Sequence, residues 1–163
     1  MGAAPQRRLL PLPIYANATR IRGAAAGIAA GVAVGATVAC SSAVGIAWLL
    51  GVPDDILRSV APKSVTTPIA IGISQEIGGH PSLTAVLVIA SGITGAMLSG
   101  RLYGWIGVRD WAARGLATGI ASHGIGTAQM LSTNETAGAF AGLAIGLTGL
   151  FTALVLPFAA CLL

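Results

Sequence analysis

The sequence predicts an all-α polytopic membrane protein built from inverted repeats, each a re-entrant or broken helix followed by a full transmembrane helix. Composition is the first reason. With 55% hydrophobic residues, 9% charged residues and a mean hydropathy of +0.83, the chain cannot cover a soluble globule with polar surface, because soluble domains carry about 25% charged residues. Length is the second: the charge-free run from Gly23 to Pro53 exceeds the roughly 20 residues a helix needs to cross the hydrocarbon layer. The third is a doubled pattern. Two uncharged, Pro- or Gly-broken stretches, Ser64 to Gln75 and Gly115 to Asn134, each precede a long apolar segment, Ser82 to Gly100 and Thr136 to Leu163. Such doubled broken segments point to a transport site.

In chain order, residues 1–22 form a basic N-terminal segment, and 23–163 form one transmembrane domain with spans near 23–51, 82–100 and 136–162. Charge sets the orientation. Arg7, Arg8, Arg20 and Arg22 precede the first span and Arg101, Arg109 and Arg114 follow the second, whereas Arg58 and Lys63 alone lie between Gly51 and Ser64. Seven against two places the N-terminus and the 101–114 linker in the cytoplasm by the positive-inside rule. Ser64–Gln75 must then enter and leave from outside and Gly115–Asn134 from inside, with the C-terminus outside. The two units become inverted copies. Gly92-Ile93-Thr94-Gly95 and Gly146-Leu147-Thr148-Gly149 match across them at an offset of 54 (146 − 92).

Small residues at four-residue spacing form ridges suited to close helix packing where no hydrophobic effect drives association. They are Gly23/Gly27/Gly31/Gly35 continued by Ala39, Ala43 and Ala47, then Gly92/Ala96/Gly100, and Gly138/Gly142/Gly146. Trp48, Tyr103, Trp105 and Trp111 fall near span ends, where amphipathic rings anchor at the interface. Cys40 and Cys161 lie in apolar runs and read as small buried hydrophobes. No metal cluster, nucleotide loop or nucleophile triad is present in the sequence, so neither cofactor nor metal is expected, nor an enzyme, nor a nucleic-acid partner.

The chemistry resides in Pro62-Lys63-Ser64-Val65-Thr66-Thr67-Pro68 and Ala121-Ser122-His123-Gly124-Ile125-Gly126-Thr127. Irregular backbone at membrane depth survives only where protein buries it or it lines a watery cavity. Pro62, Pro68, Gly124 and Gly126 are expected to break the helices, and the hydroxyls of Ser64, Thr66, Thr67, Ser122 and Thr127 to hold a ligand or the lost backbone partners. Helix N-termini near Thr67 and Gly126 would present free N–H groups and a positive dipole end to an anion. Lys63 either faces that cavity or snorkels to the outer interface. His123 is either a proton partner, able to change charge near neutral pH, or a satisfied structural histidine. Glu76, His80 and Glu135 read as solvated loop residues.

At these residues the chain resembles the LrgB family, also called CidB/LrgB. The resemblance rests on Ala61-Pro62-Lys63-Ser64-Val65-Thr66-Thr67-Pro68-Ile69-Ala70, on Ala113-Arg114-Gly115-Leu116-Ala117 and on Ala121-Ser122-His123-Gly124-Ile125-Gly126-Thr127-Ala128, in that order. It covers about residues 9 to 163, beginning at Leu12-Pro13-Ile14-Tyr15, which in relatives follows several further helices. The resemblance implies one of two roles in a bacterial inner membrane. One is transport of small carboxylates of the glycolate, glycerate or pyruvate type, with Lys63, Ser64, Thr66, Thr67, Pro68, Ser122, His123, Gly126 and Thr127 as the substrate-binding residues. The other is antiholin-like or holin-like control of murein hydrolase activity and lysis, through a homo-oligomer or a small LrgA/CidA-like partner in the bilayer.

Overall fold

The computed structural model describes residues 11–160. The expectations for Arg7, Arg8 and Cys161 lie outside the described residues. Eight helices follow one another, with no strand among the described residues: α1 Pro11–Ala16, α2 Ala18–Gly23, α3 Ala25–Leu49, α4 Asp54–Val60, α5 Thr67–Glu76, α6 Pro81–Trp105, α7 Trp111–Thr133 and α8 Glu135–Ala159. Of these, α3, α6 and α8 are long and apolar enough to cross a membrane, at the three places the sequence predicts. Their outer faces carry Val34, Val38, Ile46, Met97, Leu150 and Leu154, all exposed, as lipid contact requires.

Local chemistry sets the helix ends. α3, α5 and α6 stop at Gly51, Gly78 and Gly107, whose φ values of 72°, 80° and 72° are left-handed. In each, the next residue's N–H reaches back to the last turn, Val52 to Ala47, Gly79 to Ser74 and Val108 to Tyr103, which is the Schellman closure that glycine makes cheap. Starts are set by Pro81 in the first turn of α6, by Asp110 accepting from the Ala113 N–H at 2.9 Å, and by Asn134 accepting from the Ala137 N–H at 3.1 Å.

The two broken segments are hairpins that enter and return. In the first, α4 descends alongside α6: His80 Nε2 lies 2.9 Å from Asp55 Oδ2, and Thr84 Oγ1 donates to the Ser59 carbonyl at 2.9 Å. Residues 61–66 turn, α5 climbs back, and its Ser74 Oγ lies 2.8 Å from the same Thr84 Oγ1. Helix α4 is not legible in the sequence, because seven residues are too few to show a periodic face. In the second hairpin, α7 is two helices joined at His123, whose φ of 36° and ψ of −125° are non-helical. Its first arm runs parallel to α8, with Gly115 against Ala137 and Gly119 against Ala141 and Ala144; its second runs antiparallel, with Gly138 against Leu131. Helix placement at Gly115 and Gly119 is possible only without a Cβ, which would meet the backbone of Ala137 and Ala141.

The repeats interlock by exchange. α6 of the first receives the tip of the second, Gly95 facing Ser122, while α8 of the second receives α5 of the first, Gly149 facing Ile69. Gly95 and Gly149 are 54 residues apart, and Ile69 moved by the same 54 falls on His123, next to Ser122. The ridge on α3 is also internal at its centre. Gly31 and Gly35 face Leu116 and Ile120 of α7, so these two glycines serve packing within the chain. Tyr103 corrects the aromatic-anchor reading: it is only 8% exposed and its hydroxyl lies 2.8 Å from Thr118 Oγ1. Trp48 and Trp105 are exposed near the ends of α3 and α6, at 67% and 84%.

Polar contacts pin the two poles. Arg20 pairs with Asp110 at one end and His80 with Asp55 at the other. All five acidic residues, Asp54, Asp55, Glu76, Asp110 and Glu135, lie at or next to helix ends.

Candidate functional site

The two tips meet beside the middle of α6. Between them lies a cavity of about 580 Å³ lined by Thr66, Thr67, Pro68, Val88, Ile89, His123, Gly124, Ile125 and Ala128. Each tip brings the N-terminus of a half-helix to this space, α5 beginning at Thr67 and the returning arm of α7 at Gly124. The Thr66 side chain makes no capping bond, so the first amides of α5 keep their hydrogen-bonding capacity. Two positive dipole ends thus converge on one cavity whose walls hold no carboxylate.

His123 occupies the sharp turn of the second tip and is 4% exposed. A Cβ on Gly92 would lie 2.7 Å from its Cε1, so the notch on α6 exists to seat this ring. Its Nε2 is buried and has no hydrogen-bond partner, which makes Nε2 the free position. A neutral ring with its proton on Nδ1 offers a lone pair at Nε2, and the protonated ring an N–H there.

The structure sorts the residues expected at the site. Thr66, Thr67, Pro68 and His123 line the cavity. Lys63 does not: it is half-buried, its Nζ donates to Ser64 Oγ at 3.1 Å, and its carbonyl accepts from Ser91 Oγ at 3.2 Å. Ser64 is correspondingly buried under the tip, 7% exposed. Ser122 fills the Gly95 notch. Gly126 corrects the helix-start reading, since the returning arm begins at Gly124 and a Cβ on Gly126 would meet Ser122 Cβ at 2.5 Å and Thr118 Cγ2 at 2.6 Å. It lets the two arms touch. The break itself falls on His123 and not on either neighbouring glycine. Thr127 is buried, with no partner for its hydroxyl. Val88, Ile89, Ile125 and Ala128 were not legible as site residues, because apolar residues in an apolar helix give no signal. No group of three or more His, Cys, Asp or Glu that could hold a metal occurs among the described residues.

This geometry defines an integral membrane protein of the inverted re-entrant-repeat class, and comparison with known proteins specifies it further. The LrgB-like family model matches residues 9–162, and the chain belongs to that family. It is 33% identical over 149 residues to an uncharacterized protein of Haemophilus influenzae, covering 91% of this chain and 64% of that one. It is 31% identical to the uncharacterized protein YwbG of Bacillus subtilis, over 90% of this chain and 65% of the relative. To the holin-like protein CidB of Staphylococcus epidermidis it is 33% identical, over 67% and 48% respectively. The chain thus spans between about half and two thirds of the length of these three relatives. No solved structure matches it.

Proposed function

We propose that this chain forms the carboxylate-binding part of a transporter for small organic anions of the glycolate, glycerate or pyruvate type. The observation that carries the reading is the convergence of two half-helix N-termini, at Thr67 and Gly124, on one cavity at the middle of α6. Helix N-termini bind anions through free N–H groups and the dipole, and transporters place such ends at the repeat interface. The Thr66 and Thr67 hydroxyls orient the anion. His123 Nε2, once protonated, donates to it, so that proton and anion move together. Lys63 contributes positive potential from beneath the first tip rather than a direct contact. The seven-to-two basic asymmetry supports a cytoplasmic N-terminus in a bacterial inner membrane.

A second reading is a holin-like regulator of murein hydrolases, working with an LrgA/CidA-like membrane partner or as an oligomer. It is favoured by the name of the staphylococcal relatives, which are called holin-like. Uptake of labelled glycolate, glycerate and pyruvate into vesicles separates the two. In a transporter Thr67→Val lowers flux, at a cost of roughly 1 kcal/mol per hydrogen bond, and His123→Gln flattens its pH dependence. Full flux in both variants, or none in the unaltered chain, removes the transport reading.

A further inference from the structure

Most serines and threonines in the spanning helices bond back to their own helix, among them Thr37 to the Ala33 carbonyl, Thr94 to Ala90 and Ser99 to Ala96, and of the rest only Thr148 is buried. It is 1% exposed on α8 and its Oγ1 has no partner, although a carbonyl of the preceding turn lies within ordinary reach of a helical threonine. Leaving a buried hydroxyl unpaired costs about 1–3 kcal/mol, so its persistence calls for an explanation.

Position supplies one. Ala137, Ala141, Ala144 and Thr148 follow at helical spacing along one stripe of α8, each no more than 1% exposed. Ala137 faces Gly115 of the entering arm of α7, and Ala141 and Ala144 face Gly119. Thr148 is the next step of this stripe, just past the point where α7 turns back. The returning arm, with Leu131 opposite Gly138, sets His123 level with about Gly146, roughly 3 Å along the axis from Thr148. From the other side the neighbouring Gly149 faces Ile69 of α5. Thr148 therefore sits where both half-helices reach α8.

We propose that Thr148 is a ligand-binding residue: its hydroxyl takes the carboxylate as it passes from the tips to α8. This rests on the transport reading above and adds a contact from the spanning helix of the second repeat. The counterpart in the first repeat, Thr94, is exposed and bonded to Ala90. The two repeats thus differ in chemistry at equivalent positions.

The test uses the full chain reconstituted in vesicles, with labelled glycolate, glycerate and pyruvate as probes. Thr148→Val keeps the shape, and the apparent KM for the transported acid is expected to rise roughly tenfold, as for one lost hydrogen bond to a charged group. Thr148→Ser stays near the unaltered value, and Thr94→Val leaves uptake unchanged. Without substrate, Thr148→Val melts at the same temperature or higher, while the rise in Tm that the substrate gives the unaltered protein is lost. Should Thr148→Val not insert, Thr148→Ala carries the same expectation. An unchanged KM in Thr148→Val, with uptake by the unaltered chain intact, overturns this inference alone. No uptake of any probe by the unaltered chain overturns the transport reading and this inference with it.

Discussion

Gly95 of α6 and Ser122 of α7 are packed so closely that a methyl group on Gly95 would collide with the Ser122 hydroxyl. The contact locks the second hairpin into the spanning helix of the first repeat, and Gly149 against Ile69 does the reverse. Neither hairpin is held by its own repeat alone.

Substitution at this notch is therefore expected to be costly. Gly95→Val should destabilise by roughly 1–3 kcal/mol, as overpacking does, and should lower carboxylate flux by displacing the tip. Gly146→Ala, where a Cβ meets nothing within 4 Å, should be neutral or slightly stabilising. Thermal unfolding in detergent compares the two. Equal melting temperatures would show that the notch does not hold the tip.

Gly31→Leu is expected to act within one chain. Even a Cβ at this position would lie only 3.3 Å from Leu116 Cδ2, so the longer leucine side chain parts α3 from the entering arm of α7. Lower thermal stability at unchanged oligomeric size, read by size-exclusion chromatography with light scattering, supports this. Dissociation of an oligomer without loss of stability would contradict it.

The backbone of His123 is held at a φ of 36°, which a non-glycine residue adopts at a cost of about 1–3 kcal/mol. His123→Gly should relieve that strain and His123→Ala should keep it, so the Gly variant is expected to be the more stable of the two by roughly 1 kcal/mol. Both should lose flux, since both lose the ring that offers Nε2. A denaturation series measures the stability order, and vesicle uptake the flux.

At the pole next to α7, the Ala113 N–H, chiefly, and the Arg20 guanidinium hold the Asp110 carboxyl below its ordinary range. A carboxyl whose folded pKa is depressed stabilises the fold above its unfolded pKa, near 3.9, and loses that contribution as pH falls through the folded value. Stability from Asp110 should thus be full at neutral pH and fade below about pH 4. Asp110→Ala removes the helix cap and should cost about 1 kcal/mol. Asp110→Asn keeps a capping oxygen and loses only the exposed pair with Arg20, worth about 0–1 kcal/mol. Melting curves of the three proteins at pH 7 and pH 3.5 check both the order and its pH dependence.

Membrane orientation is tested by single cysteines. One at Gly107, in the loop after α6, is expected to react only with reagents that reach the cytoplasm, and one at Asp54, opening α4, from outside. Labelling of both from the same side would dismantle the inverted-repeat topology.

Composition and charge placement by themselves determined that this is a helical membrane protein with three spans and two broken segments. Long apolar runs have no other stable home, and the turn chemistry of Gly51, Gly78 and Gly107 is local. The sequence also marked Thr66, Thr67, Pro68 and His123, because polar residues in an apolar setting stand out. Only the tertiary structure decided which of the marked residues face the cavity. Lys63 turns to Ser64, Ser122 and Gly126 are consumed by packing, and the chain reverses at His123 rather than at a glycine. It also singled out Thr148, which in the sequence differs in no way from Thr94. Both are threonines in a Gly-rich helix, and the difference between them is whether the hydroxyl finds its own helix's carbonyl or is left buried without a partner where two repeats meet. That is decided by long-range packing, to which no local pattern is sensitive.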